Sequence, residues 1–146
     1  MGSLVETIKD MDKRKAVVDD CVKLIDAEVA SKRGVSGIAI KAAFKVVKGF
    51  QPGMIPMSMN HLLDDFAAQI DPFWQECQSE GSQSREFFTR RKGDVSNALL
   101  SITDGRASKS RHRSLVKAYK KLRPQAVNHI GDAMPRLADV IQKHAS

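Results

Sequence analysis

The sequence has few of the residues that build disulfide-linked or membrane-spanning proteins. Its 146 residues include only two cysteines, Cys21 and Cys77, which stand among apolar neighbours and cannot staple a secreted scaffold. No stretch approaches the roughly 18 consecutive apolar residues of a transmembrane helix, and the N-terminal residues do not form a signal peptide. We therefore expect a reduced, cytoplasmic protein without a transmembrane segment.

Motifs for catalysis and ligand binding are also missing. The chain has no Gly-rich phosphate loop, no HExxH or CxxC pattern and no calcium-binding loop. We therefore expect neither a cofactor nor a metal ion. The one candidate catalytic pair is His61 and Asp65, which lie four residues apart on one helical face and would suit an enzyme. Such a pair is also ordinary on the surface of a helix.

Strict alternation of apolar and polar residues, the pattern of a half-buried strand, is nearly absent. Apolar residues instead recur with the 3.6-residue period of helices almost throughout the chain. Hydrophobic residues make up 42% of the sequence and charged residues 28%, which is ordinary for a globular protein. We predict an all-α fold, a single-domain bundle of seven or eight short helices that spans residues 1–146.

Capping residues, glycines and prolines predict where these helices begin and end. The predicted boundaries are a capping box at Ser3–Glu6, an N-cap at Asp10 or Asp12, an N-cap at Ser36, a loop over 49–56, a new helix at Asp71-Pro72, a loop over 81–84, a junction of two helices or a kink at Gly93, a loop after Gly105, the end or a bend of a helix at Pro124, and a kink or restart at Pro135.

Acidic residues are absent from 105–131, although this stretch holds eight lysines and arginines. The net charge of the chain is +7, so the other residues sum to about −1. We expect a loop at 105–110 to bring cations to the start of the next helix, where free backbone N–H groups already favour an anion. The cations of this stretch that we assign to an anion-binding site are Arg106, Lys109, Arg111, Arg113, Lys117 and Lys120, and Lys121 lies on the same exposed face.

A second stretch without acidic residues, Val29 to Leu63, contributes Lys41, Lys45 and Lys48 to the predicted site. These lysines lie opposite the apolar face that contains Ile40 and Phe44. Charge runs on helices are often only solvated surface, and carboxylates elsewhere in the fold could neutralise both stretches. The candidates for that role are Asp19, Asp20, Asp26, Asp64 and Asp65.

Three functional hypotheses follow from these patterns. The leading one is a non-catalytic binding module that engages an anionic partner, whether nucleic acid, an anionic membrane surface or an acidic protein. The second is a carrier that holds a small apolar or amphiphilic ligand between helices, near Met54, Met57, Met59, Phe66 and Trp74. The third is an enzyme that uses His61 and Asp65. Few aromatic residues lie near the basic stretches, which argues against base stacking.

Several segments also carry a resemblance. They are Gly34-Val-Ser-Gly37 with the following Ala39–Phe44, the stretch from Leu62-Leu63 to Trp74, and Ser96–Arg106 with Lys117–Tyr119, Leu122 and Pro135. Together these segments resemble a small bacterial family of uncharacterised helical proteins over most of the chain. The resemblance implies a bacterial cytoplasmic setting and a single helical domain, and it assigns no catalytic or binding residue.

Overall fold

The computed structural model describes residues 3–50 and 53–145, which form eight α-helices and contain no β-strand. The predicted all-α bundle is confirmed, and its single-domain organisation stays a prediction. The helices are α1 (Leu4–Thr7), α2 (Met11–Ser31), α3 (Gly34–Phe50), α4 (Met54–Glu80), α5 (Ser84–Arg90), α6 (Lys92–Lys109), α7 (Arg113–Asp132) and α8 (Met134–Ala145).

Several helix ends form where the sequence predicts them, because local side chains satisfy the free backbone groups. Asp10 caps α2, and its carboxylate accepts hydrogen bonds from the amides of Asp12 and Lys13 at 2.9 and 3.1 Å. Gly81 ends α4 with a φ of 70°, a conformation that glycine adopts without steric cost. Pro135 lies in the first turn of α8, so the predicted restart of the chain at this proline is confirmed.

Pro72 does not start a new helix, and Pro124 does not end one. Pro72 lies inside α4 and Pro124 lies inside α7, and both helices continue past them. Each proline removes one backbone hydrogen bond, but α4 packs against α1, α2 and α6, and α7 packs against α3 and α6. Tertiary packing therefore outweighs the local preference for a break.

The predicted capping box at Ser3–Glu6 is also wrong, because the Ser3 side chain makes no capping hydrogen bond. The Asp71 carboxylate accepts a hydrogen bond from the Leu4 amide at 2.8 Å, so Asp71 holds the start of α1 instead of starting a new helix. Ser36 lies within α3, which begins earlier, at Gly34.

The other predicted boundaries shift by a few residues. α3 extends through Phe50 and α4 begins at Met54, which shortens the loop predicted over 49–56. Gln51 and Pro52, the centre of that loop, lie outside the described residues. The loop predicted over 81–84 occupies 81–83, and the junction predicted at Gly93 falls instead at Arg91, between α5 and α6.

The densest part of the core lies around α5 and α8. Phe87 and Phe88 of α5, Val95 of α6 and Met134 of α8 are completely buried, and the second half of α4 packs onto them. The Phe87 and Phe88 rings meet edge to face with centroids 5.5 Å apart. This half of the molecule is a closely packed apolar core.

α3 and α7 lie side by side and run in opposite directions. Near the start of α3, the Ser36 hydroxyl lies 2.6 Å from Nε2 of His129, which is near the end of α7. At the other end, the Phe50 ring contacts the His112 ring, which precedes α7, with centroids 4.8 Å apart. These two contacts fix the antiparallel arrangement.

The start of α3 passes very close to the chain that leaves α2. A Cβ added to Gly37 would lie 2.7 Å from the carbonyl carbon of Lys32 and 2.9 Å from its oxygen. Only glycine permits this approach. The Lys32 side chain itself is buried in the protein.

We expect Gly37→Ala to lower the free energy of unfolding by about 1–3 kcal/mol, because the new methyl group must displace backbone atoms. Gly105→Ala is the matched control, since Gly105 lies inside α6 with open space around it. That variant should gain roughly 0.5–1 kcal/mol from helix propensity. Urea unfolding of both variants tests the contact, and equal effects of the two substitutions would contradict it.

Candidate functional site

The outward face of α7 is strongly basic. Arg113, Lys117, Lys120 and Lys121 are exposed and line an open groove of about 510 Å³. Their positions repeat with the period of a helix and lie opposite the buried Ala118. These four side chains therefore share an exposed side of α7, and their role in an anion-binding surface stays a prediction.

The predicted cationic loop before α7 is wrong, because α6 continues to Lys109 and leaves a connection of only residues 110–112. Arg106 and Lys109 lie in the last turn of α6, where the negative end of the helix dipole favours cations. The Ser108 hydroxyl donates to the Gly105 carbonyl at 2.8 Å and is not directed at a ligand. Arg111 is the only predicted site residue in the connection.

Carboxylates neutralise two of the nine predicted site residues. The Arg106 guanidinium lies 2.9 Å from an oxygen of Asp65, and the Lys48 ammonium lies 3.1 Å from one of Asp26. Across residues 3–50 and 53–145, the other cations of the predicted site form no ion pair. We call six unpaired cations the basic face; they are Lys109, Arg111, Arg113, Lys117, Lys120 and Lys121.

We expected the lysines of α3 to lie opposite its buried face, but they do not. Lys48 reaches Asp26 on α2, so the row of Lys41, Lys45 and Lys48 lies on the flank of α3 that faces α2. The face that points away from the core is apolar, and we call it the outer stripe; it consists of Val35, Ile38, Ala42 and Val46. These four residues are three or four positions apart, a spacing that indicates one face of a helix, although we did not predict this face from the sequence.

The His61 and Asp65 pair forms no catalytic arrangement. His61 is exposed and has no hydrogen bond in the described part of the chain, and Asp65 pairs with Arg106. Neither residue lines the groove on α7, and neither lines an apolar cavity that lies between the helices. The third hypothesis therefore gains no geometric support.

A cavity of about 470 Å³ lies between the helices, and side chains from every helix except α5 line it. Its lining is almost entirely apolar and includes Leu99 and Leu122. Of the residues proposed for an apolar pocket, Met59 and Phe66 line the cavity, and Met54, Met57 and Trp74 do not. Trp74 belongs to the dense core instead.

A buried charged group borders the cavity between α2 and α7. The Lys32 ammonium lies 3.6 Å from a Glu28 oxygen and 3.4 Å from an Asp132 oxygen. It also donates a hydrogen bond to the backbone carbonyl of His129 at 3.3 Å. The Glu28 carboxylate also accepts a hydrogen bond from Arg136. Each buried charge is thus paired, as a low-dielectric interior requires.

A second polar group borders the cavity between α6 and α7. The Tyr119 hydroxyl donates to Asp104 and lies 2.7 Å from the Thr103 hydroxyl. Arg123 holds the same carboxylate at 2.9 Å. The hydrogen bonds from Arg123 and Tyr119 lower the pKa of Asp104, which therefore stays ionised.

His129 borders the cavity and is not fully hydrogen bonded. Its Nε2 meets the Ser36 hydroxyl, while the buried Nδ1 has no partner. Burial, and then repulsion by the Lys32 ammonium, lower the pKa of His129 below its ordinary value. The imidazole is therefore neutral at pH 7.

Residues 3–50 and 53–145 contain neither a cluster of metal ligands nor a membrane-spanning helix. No three His, Cys, Asp or Glu side chains gather closely enough to hold a metal ion. None of the eight helices combines the length and the apolar composition that a membrane crossing requires.

Residues 4–145 match a family that is described as "Family of unknown function (DUF6918)". The resemblance to an uncharacterised family is thereby confirmed over nearly the whole chain, and a bacterial origin stays a prediction. No curated protein and no solved structure matches the chain.

We expect His129 to make the stability of the protein depend on pH. Because its folded pKa is lowered, the unfolded chain takes up a proton first as the pH falls below about 6.5. The contribution of His129 is therefore complete above that pH and is lost below it. Urea unfolding at pH 7.5 and 5.5 should show a smaller loss in His129→Gln than in the wild type, and equal losses would contradict this assignment.

Proposed function

We propose that this chain, which belongs to that family of unknown function, is a non-catalytic binding module whose basic face engages an anionic partner. The supporting observation is that six cations between residues 109 and 121 have no carboxylate partner among the described residues. Four of them line one open groove. The cations are thus close together and accessible.

The electrostatics of this arrangement favour binding. Like charges on one helix repel each other, and an anionic partner relieves that repulsion while it releases its own counterions. The attraction acts over about 8–10 Å at ordinary ionic strength, so it weakens when salt is added. The ion-paired Arg106 and Lys48 contribute less to such a surface than the unpaired cations do.

The setting of the protein is part of the proposal. Cys21 and Cys77 are both free thiols, and burial raises the pKa of Cys21 to about 11, which keeps it in the unreactive protonated form. Free thiols are usual in a reducing compartment, which supports a cytoplasmic setting, whereas the bacterial setting rests only on the family resemblance.

The basic face is tested by the triple variant Lys117→Gln, Lys120→Gln and Lys121→Gln. We expect it to elute from heparin at clearly lower salt than the wild type and to bind labelled duplex DNA at least about tenfold more weakly at low salt. The lost affinity should shrink as salt is raised.

The matched control removes three exposed, unpaired lysines from α2, Lys13, Lys15 and Lys23, with the same change in net charge. This variant should elute close to the wild type. If both triple variants weaken binding equally, total charge and not the basic face is responsible. If the wild type is not retained at low salt, the proposed function is wrong.

A second candidate function, a carrier of a small apolar or amphiphilic ligand, is favoured by the interior cavity. Protein cores pack at the density of organic crystals, and voids larger than a few water molecules are rare. A cavity of about 470 Å³ falls within the size range of small-molecule sites, roughly 300–1,000 Å³. Arg123 borders the apolar wall and donates to Asp104 through Nε and Nη2, which leaves its Nη1 available to donate to a polar head group.

The cavity predicts opposite effects for the same substitution at two alanines. Ala126 lines the cavity, so Ala126→Leu should raise the free energy of unfolding by roughly 1 kcal/mol as the new side chain fills empty space. Ala138 is completely buried in the dense core, so Ala138→Leu should lower it by about 1–3 kcal/mol. Thermal unfolding of both variants measures the difference.

Native mass spectrometry with dodecanoic acid then tests the carrier directly. The wild type should retain one molecule, and Ala126→Leu should retain less. Destabilisation of Ala126→Leu to the same degree as Ala138→Leu would show that the interior is filled, and the carrier hypothesis would then be wrong.

A further inference from the structure

The outer stripe of α3 leaves a continuous apolar face in contact with water. Val35 and Ile38 are 86% and 71% exposed, and Val46 is 46% exposed. With Ala42, these side chains fall within about 80° of arc at ~100° per residue. The opposite side of α3 buries Ile40 against the cavity. α3 is therefore apolar on two sides, and the part of the chain that the structure describes covers one of them.

Cations lie on both sides of this stripe. Lys41 and Lys45 lie on the flank that faces α2, as the contact from Lys48 to Asp26 shows, and neither of them forms an ion pair within the described residues. The other flank faces α7, as the contact of Phe50 with His112 shows. The outward side of α7 carries four of the six cations of the basic face. The apolar stripe thus runs between two rows of positive charge.

We propose that the outer stripe and these cations dock α3 flat on an anionic membrane surface. The inference rests on the proposed function, because it names the anionic partner of the basic face. α3 has 17 residues and is about 25 Å long, so it lies along the surface with its apolar side chains among the upper acyl chains. The flanking lysines then meet the anionic head groups.

Other partners fit these features less well. A nucleic acid offers phosphates to the cations but leaves the outer stripe exposed to water. A second copy of the chain would bring cationic rows together, and one helical stripe covers far less than the roughly 1,200 Å² that stable interfaces bury. A lipid surface supplies both an apolar layer and negative charge at the depths that α3 requires.

The experiment is flotation of the full chain with vesicles of phosphatidylcholine alone or mixed with phosphatidylglycerol. The wild type should float with the mixed vesicles and remain behind with the neutral ones. The double variant Ile38→Ser and Val46→Ser should bind the mixed vesicles at least about tenfold more weakly, because it loses two inserted apolar side chains. Its retention on heparin should not change.

Met11→Ser is the matched control, because Met11 is 76% exposed and lies at the start of α2, outside the stripe. It should alter neither flotation nor heparin retention. Lys41→Gln with Lys45→Gln should weaken flotation by about fivefold or more, since each cation near the surface adds to the attraction. All the substituted side chains are exposed, and circular dichroism checks that each variant remains helical.

The outcomes separate the two proposals. If the wild type is retained on heparin and does not float with the mixed vesicles, the membrane inference is wrong and the proposed function stands. If it does neither, both are wrong. If the double serine variant floats as well as the wild type, the outer stripe has no role in docking and the inference is wrong.

Discussion

One buried cation, the ammonium of Lys32, determines how α3 lies on the rest of the protein. Removing a charge from water is costly unless partners compensate it, and these partners come from two places. Glu28 lies one turn earlier on α2, and Asp132 and the His129 carbonyl lie at the end of α7. The start of α3 is therefore held against the end of α7, and Gly37 gives it the space to pass. The antiparallel course of α3 along α7 follows.

That course makes α3 the wall between the two candidate sites. Its inner face, with Phe44 and Val47, lines the cavity, and its outer stripe faces solvent. A helix of a soluble bundle ordinarily needs one apolar face, and a second one indicates that another surface covers it. The carrier and the membrane proposals therefore concern opposite sides of the same helix, and they are compatible.

The sequence predicted features that depend on local chemistry, such as the Asp10 cap, the turn at Gly81 and the exposure of the cations on α7. Predictions from the sequence were wrong where tertiary contacts decide the local structure. Pro72 and Pro124 remain inside helices because neighbouring helices pack against both α4 and α7. The cavity was anticipated as a kind of site but not with its lining, since a void depends on how helices meet. We did not predict the exposed apolar side of α3, because an amphipathic helix is expected to have one apolar face.

Burial in this molecule is uneven: α5, α6 and α8 hold completely buried side chains, whereas α3 holds none and its inner face borders the cavity. Dispersion forces and area burial hold the first group together, and the second has fewer such contacts to lose. Thermal motion should therefore detach α3 well before the whole chain unfolds. A partial opening of this kind would widen the way into the cavity between the helices.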